Sequence, residues 1–236
     1  MQLDEGYSFG IGAFETIAIE NKRAIFLDEH LERLNKALKF FGIYKIVEKN
    51  EINATVEKEG LHRAALKIMV SEQNTIITFR ENPYNQNIYN RGFKLCYSEV
   101  LRNPTSSFTF YKTLNYGDSI LEKRKCNKKG CDEPIFFNYK NEICEGATSN
   151  IFFVNKGCII TPAVSCGLLA GIMREYLIKK YDIIEETIKL ESISNFDECF
   201  VTNSLMGIMP VVSFGDILFK QRCTADRLQQ EYISLF

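Results

Sequence analysis

The sequence predicts an α/β protein with α+β local order, folded as two lobes, and three observations carry that expectation. Short alternating apolar runs are interleaved with amphipathic helical stretches along the chain. The polar segment from Arg102 through Asn103 and Pro104 to Thr105, Ser106 and Ser107 interrupts this order as a linker would. A length of 236 residues suffices for two buried cores. The expected division is a small lobe over 1–100, a linker over 101–107 and a larger lobe over 108–236. Lys+Arg 29 against Asp+Glu 30 leaves no charge excess for nucleic acid or an anionic membrane, so the partner is read as a small molecule. The eight cysteines show no CxxC and no paired His, and Met1 opens no secretory leader; they are expected to be reduced cytosolic thiols, with no metal site. No apolar run reaches the roughly 20 residues that a spanning helix needs.

Taken in order, Phe9 to Glu20 reads as a strand opening on a glycine corner, with Phe14, Thr16 and Ala18 alternating against Ile17 and Ile19. A turn at Asn21 and Lys22 leads to a second strand, Arg23 to Leu27. Asp28 is placed to cap a helix whose stripe is Leu31, Leu34, Leu38 and Phe41, with Gly42 just past its end. Arg33 sits off that stripe; alone it reads as a surface residue. A weaker helix over 50–59 precedes two strands, 64–70 and 75–80, joined by the turn SEQN. Residues 82–92 read as a loop and 93–100 as a strand.

Beyond the linker, Lys112 stands between a strand-like end, Phe108 to Tyr111, and a helix expected from about Leu114. Most lysines are solvated, but a buried one becomes a nucleophile. The stretch Asn141 to Val154 reads as strand, tight corner, strand, with Glu145 closing the first and Thr148, Ser149 and Asn150 opening the second. A solvated hairpin Glu is the alternative. After a strand at 158–161, the loop AVSCGLLAG opens a helix at Ile172, where the free amides of Ile172 and Met173 would suit a phosphate, or would be an ordinary loop-to-helix junction. A strand over 183–188, a helical turn over 192–197 and a strand over 199–201 follow, the last running into Thr202, Asn203 and Ser204. A packing helix over 224–236 ends the chain. A strand-end lysine, a later carboxylate and an anion-binding helix start are together the parts of a pyridoxal phosphate site.

The motifs FGIGAFET (Phe9–Thr16), HLERL (His30–Leu34), KTLNY (Lys112–Tyr116), EGATSNIF (Glu145–Phe152), LLAGIMR (Leu168–Arg174) and NSLMGIMPV (Asn203–Val211) resemble, in order, those of the fold type IV (class IV aminotransferase) pyridoxal phosphate enzymes. That resemblance implies a small α/β lobe, a larger lobe with a barrel-like sheet, the cofactor lying between them, and a cytoplasmic homodimer. It implies that Lys112 is the Schiff-base and catalytic lysine and that Glu145 partners the pyridine nitrogen. Arg33, Ile172, Met173 and Ser204 would bind phosphate, and Tyr116, Ser149 and Asn150 would line the cofactor. Thr16, Arg102 and Asn203 would meet the substrate. Within the family, FETIA in place of FEGIR and NSL in place of a GTA turn look most like the 4-amino-4-deoxychorismate lyase group, which forms 4-aminobenzoate and pyruvate for folate synthesis. The alternative is an aminotransferase for branched-chain or D-amino acids, and a non-catalytic binding protein on the same scaffold comes last.

Overall fold

The computed structural model describes residues 2–236, which form two compact units. The first runs to Pro83 and takes back Tyr111–Tyr116 and Phe236; the second is Tyr84–Phe110 with Gly117–Leu235. The chain thus crosses from one to the other more often than a single linker over 101–107 allows.

In the first unit a short helix α1 (Glu5–Phe9), capped by Asp4, occupies the head of the chain. It is followed by β1 (Ala13–Glu20), β2 (Arg23–Ala24), α2 (Leu27–Phe40), α3 (Lys49–Glu59), β3 (Arg63–Val70) and β4 (Thr75–Arg80). The strands form an antiparallel sheet in the order β2-β1-β3-β4. Asn21 and Lys22 both take positive φ, as a two-residue hairpin turn requires. The expected second strand is cut to two residues because Phe26 turns left-handed and starts α2 early. Asp28 is therefore not the cap: it lies inside the first turn, where a carboxylate favours the positive helix end. One sheet face, with Ala13, Ile17, Ile19, Leu66 and Ile68, packs on Leu31, Leu34 and Leu38 of α2. The other face presents Phe14, Thr16, Ala18, Lys67 and Met69.

The second unit holds α4 (Gln86–Arg91), β5 (Phe93–Arg102), α5 (Gly117–Lys128), β6 (Glu133–Asn138), β7 (Ile143–Gly146), β8 (Asn150–Asn155) and β9 (Cys158–Pro162). It continues with α6 (Ile172–Lys180), β10 (Ile183–Glu186), β11 (Glu198–Asn203), β12 (Gly207–Phe214), β13 (Ile217–Leu218) and α7 (Cys223–Ile233). Its nine-stranded mixed sheet has the order β10-β9-β8-β11-β12-β5-β6-β7, with β13 on β12, and curls into a half-barrel. β5 pairs in parallel with both β6 and β12, so the strand assigned from sequence to the first lobe belongs to this sheet. The apolar stretch Phe108–Tyr111 is no strand end; Ser107–Phe110 is a 3₁₀ turn, and α5 starts only at Gly117. The thiols of Cys96, Cys126 and Cys131 converge to within 4.8 Å of one another, although no CxxC spacing links them in the sequence.

Candidate active site

In the first unit, residues 112–114 run as an extra edge beside the start of β1. Phe14 N–H donates to the Lys112 carbonyl at 2.9 Å, Leu114 N–H donates to the Gly12 carbonyl at 3.0 Å, and Ala13 bridges Thr113. The approach depends on glycine: a Cβ on Gly12 would sit 2.4 Å from the Val70 carbonyl and 2.7 Å from Leu114 Cδ1. The backbone of Lys112 is thereby fixed, and its ammonium lies 4.4 Å from the Phe14 ring centre and 5.2 Å from that of Tyr116, whose rings meet edge-on at 5.1 Å. Lys67, opposite Thr16 in the β1–β3 register, lies 4.8 Å from the same Phe14 ring. Burial, then the charge of Arg80, lowers its pKa. Lys67 has no carboxylate partner among the described residues, and sequence reasoning passed over it; the signal was one cation inside the apolar run Ala64–Val70.

Behind the sheet, Glu15 is fully buried on the core face of β1 and accepts from Arg33 Nε and Nη2 and from His30 Nδ1, each at 2.7 Å. Burial pushes the Glu15 carboxyl up, but Arg33 and His30 together bring it down to about 2. Burial also lowers the His30 pKa, against the pull of Glu15. Arg33, expected at phosphate, thus meets any anion with its charge already balanced by Glu15.

In the second unit, Glu145 ends the short buried β7. Its Oε2 accepts from the Leu169 amide at 3.0 Å, and its Oε1 lies 3.0 Å from Arg102 Nε. The Nε–H is not aimed at that oxygen, so the contact is coulombic. Arg102 stacks 3.8 Å over Phe136 and donates to Ser119 Oγ at 2.9 Å. Arg102, expected at the substrate, stands as the counter-ion of Glu145. Ser149, expected at the cofactor, donates its hydroxyl, like Thr148, to Glu133, which pairs with Lys123. Asn150 donates to the Leu169 carbonyl at 2.9 Å and so holds the loop that presents Leu169 to Glu145. Asn203, expected at the substrate, accepts through Oδ1 from the amides of Leu205 and Met206 and so closes the turn after β11. Thr16 stays half-buried beside Lys67.

Helix α6 begins after Gly171, which offers no side-chain cap, so the amides of Ile172 and Met173 lack an intrahelical acceptor. α6 packs against β11, where the Thr202 hydroxyl is buried without a partner among the described residues and Ser204 follows in the turn. Uncapped amides and an orphaned hydroxyl suit an anion.

The profile of the family described as amino-transferase class IV matches residues 12–214. The chain belongs to this family. Class IV aminotransferases are pyridoxal phosphate enzymes, and the residues fit the group: a lysine held against aromatic rings, a buried carboxylate, and an anion site at a helix start. The chain is 29% identical to an aminodeoxychorismate lyase of Bacillus subtilis, covering 91% of this chain and 81% of that protein. A putative branched-chain-amino-acid aminotransferase of Methanocaldococcus jannaschii is 28% identical over 88% and 80%. The structure is similar to a putative 4-amino-4-deoxychorismate lyase of Legionella pneumophila, with TM-score 0.88 and 25% identity over 99% and 94% of the two chains. The Escherichia coli branched-chain aminotransferase shares the fold, with TM-score 0.87 and 22% identity over 100% and 88%.

Proposed function

We propose that this class IV enzyme is a 4-amino-4-deoxychorismate lyase, releasing 4-aminobenzoate and pyruvate. The observation that carries the reading is Lys67, a half-buried cation with no carboxylate partner among the described residues, over the same Phe14 ring as Lys112. An aromatic face with a second ammonium suits a cyclic substrate bearing two carboxylates better than a small aliphatic amino acid bearing one. The similarity to lyases from two bacteria supports it.

In this reading Lys112 holds the cofactor and takes the proton from the substrate C4, with Phe14 and Tyr116 keeping water from its amine. Glu145, oriented by Arg102 and the Leu169 amide, would hold the pyridine nitrogen. Ile172, Met173, Thr202 and Ser204 would receive the phosphate, and the family resemblance adds Arg33 as a phosphate ligand. The cofactor, when bound, supplies an electron-poor ring that stabilises the negative charge developing next to the substrate nitrogen. Lys67 orients a substrate carboxylate, and aromatisation as pyruvate leaves drives the reaction. A cytoplasmic homodimer serving folate synthesis belongs to the same proposal.

The test offers aminodeoxychorismate, and separately leucine, isoleucine, valine and D-alanine with 2-oxoglutarate or pyruvate. Aminobenzoate formation should have a kcat/KM far above that of any transamination. A faster transamination would replace the lyase by an aminotransferase.

A further inference from the structure

Three cysteines that the chemistry above does not use are gathered by backbone geometry. Helix α5 ends in Cys126, Asn127 and Lys128, and Lys129, Gly130 and Cys131 follow it. Gly130, at φ +75, donates to the Asn127 carbonyl at 3.0 Å, and Cys131 donates to the Cys126 carbonyl at 3.2 Å. This pair of bonds is the Schellman helix ending, which brings together the side chains three residues before the cap and two after it. Both positions are cysteine here. Cys96 reaches them from β5, opposite Pro134 of β6. The turn is tied to β5 by Lys94 N–H to Asp132 Oδ2 at 2.8 Å and by Asp132 N–H to the Lys94 carbonyl at 2.7 Å, and to α4 by Arg91 on both Asp132 oxygens.

We propose that Cys96, Cys126 and Cys131 form a three-thiolate site for a zinc ion, with solvent or an external ligand in the fourth position. The donors are all sulfur, which selects a soft d¹⁰ ion over magnesium, calcium or manganese. Sulfurs at about 2.3 Å from tetrahedral zinc stand roughly 3.8 Å apart. The three thiols lie within 4.8 Å of one another, so closing on the ion needs a shift of roughly 1 Å, which small χ1 rotations supply. Cys126 is buried while Cys96 and Cys131 are half-exposed, which leaves an entry path and an open coordination position. Zinc with three thiolates carries one net negative charge, and Lys129 near Cys96 and Lys94 near Cys131 offset it.

Entry of zinc displaces the thiol protons, so affinity falls as pH is lowered.

The test uses the reduced, cofactor-loaded full chain, equilibrated with zinc ion against a chelator of known affinity. Metal content is counted by native mass spectrometry, zinc–sulfur distances are measured by X-ray absorption, and thermal unfolding is followed with and without zinc. The expected result is one zinc per chain on three sulfurs at about 2.3 Å, with a raised Tm. Cys131→Ser and Cys96→Ser should each weaken binding more than tenfold while leaving cofactor absorbance and turnover unchanged. Cys158→Ser/Cys223→Ser, which removes the two exposed thiols, should bind as the parent does. Undiminished binding by Cys96→Ser/Cys131→Ser, a coordination shell of nitrogen and oxygen, or no zinc on the reduced protein would each overturn the proposal. A disulfide within the trio that forms in preference to zinc binding would overturn it too.

Discussion

Replacing Arg33 by Met tests whether this arginine serves chiefly the buried carboxylate of Glu15. The Glu15 side chain is fully buried and that of Arg33 is 17% exposed, so removal of Arg33 strands the less solvated partner. A carboxyl held at about 2 instead of 4.5 represents about 3 kcal/mol at neutral pH, at about 1.4 kcal/mol per pKa unit. Breaking a buried pair by deleting one partner costs roughly 3–5 kcal/mol. Arg33→Met should therefore cost the cofactor-free protein about 3–4 kcal/mol at pH 7, measured by urea unfolding followed by circular dichroism. Glu15→Gln should cost a similar amount, and the double variant less than the sum by about 2 kcal/mol, because both changes remove the same pair. In the parent the Glu15 pKa is depressed, so its contribution is complete above about 4.5 and is lost as pH falls through about 2. Without Arg33, burial dominates and the carboxyl takes up a proton at higher pH, which relieves the variant on acidification. The gap between parent and Arg33→Met should narrow as pH falls from 7. A cost under about 1 kcal/mol, additivity of the two changes, or a gap that widens in acid would refute the pairing.

Lys112→Ala should lose the visible absorbance of the bound cofactor and slow turnover by roughly 10²- to 10⁴-fold or more; retained absorbance at near-normal rate would move the chemistry elsewhere. Glu145→Gln should keep the cofactor bound, read by equilibrium dialysis, while kcat drops on the order of 10²-fold, since a neutral amide no longer supports charge on the ring nitrogen. Lys67→Gln should raise the KM for aminodeoxychorismate roughly tenfold with a smaller change in kcat, as expected for loss of one charge-assisted contact on a half-buried side chain. An unaltered KM would remove Lys67 from the substrate.

What was legible in the sequence was what local periodicity and turn chemistry determine. The β3–β4 hairpin, α3, the turn at Asn21 and Lys22 and the start of α6 fall within a residue or two of expectation. β6 escaped notice: all six of its residues are buried, so the strand shows no alternation, and it opens with Glu and Pro. The lysine, the carboxylate and the helix amides stand out in the sequence because short motifs mark them. Their supports do not, because they join residues far apart in the chain. Arg102 meets Glu145 across 43 positions, Asn150 meets the Leu169 carbonyl across 19, and Cys96 reaches Cys126 only once β5 lies beside α5. Pairing of that kind is set by strand order, which no window of the sequence contains.

The return of Tyr111–Tyr116 to the first unit bears on how the protein comes to be made. During synthesis, the strands β1 to β4 emerge well before the segment that carries Lys112, so the edge beside Ala13 stands uncovered until Tyr116 has followed. At about 5–20 residues per second, that interval lasts a few seconds. An open, apolar edge is a template for unwanted pairing during such a wait. A nascent chain that has β1 to β4 outside the ribosome and Thr113 still inside would therefore be prone to aggregate, whereas one whose Tyr116 has emerged would already carry the segment that bridges Ala13.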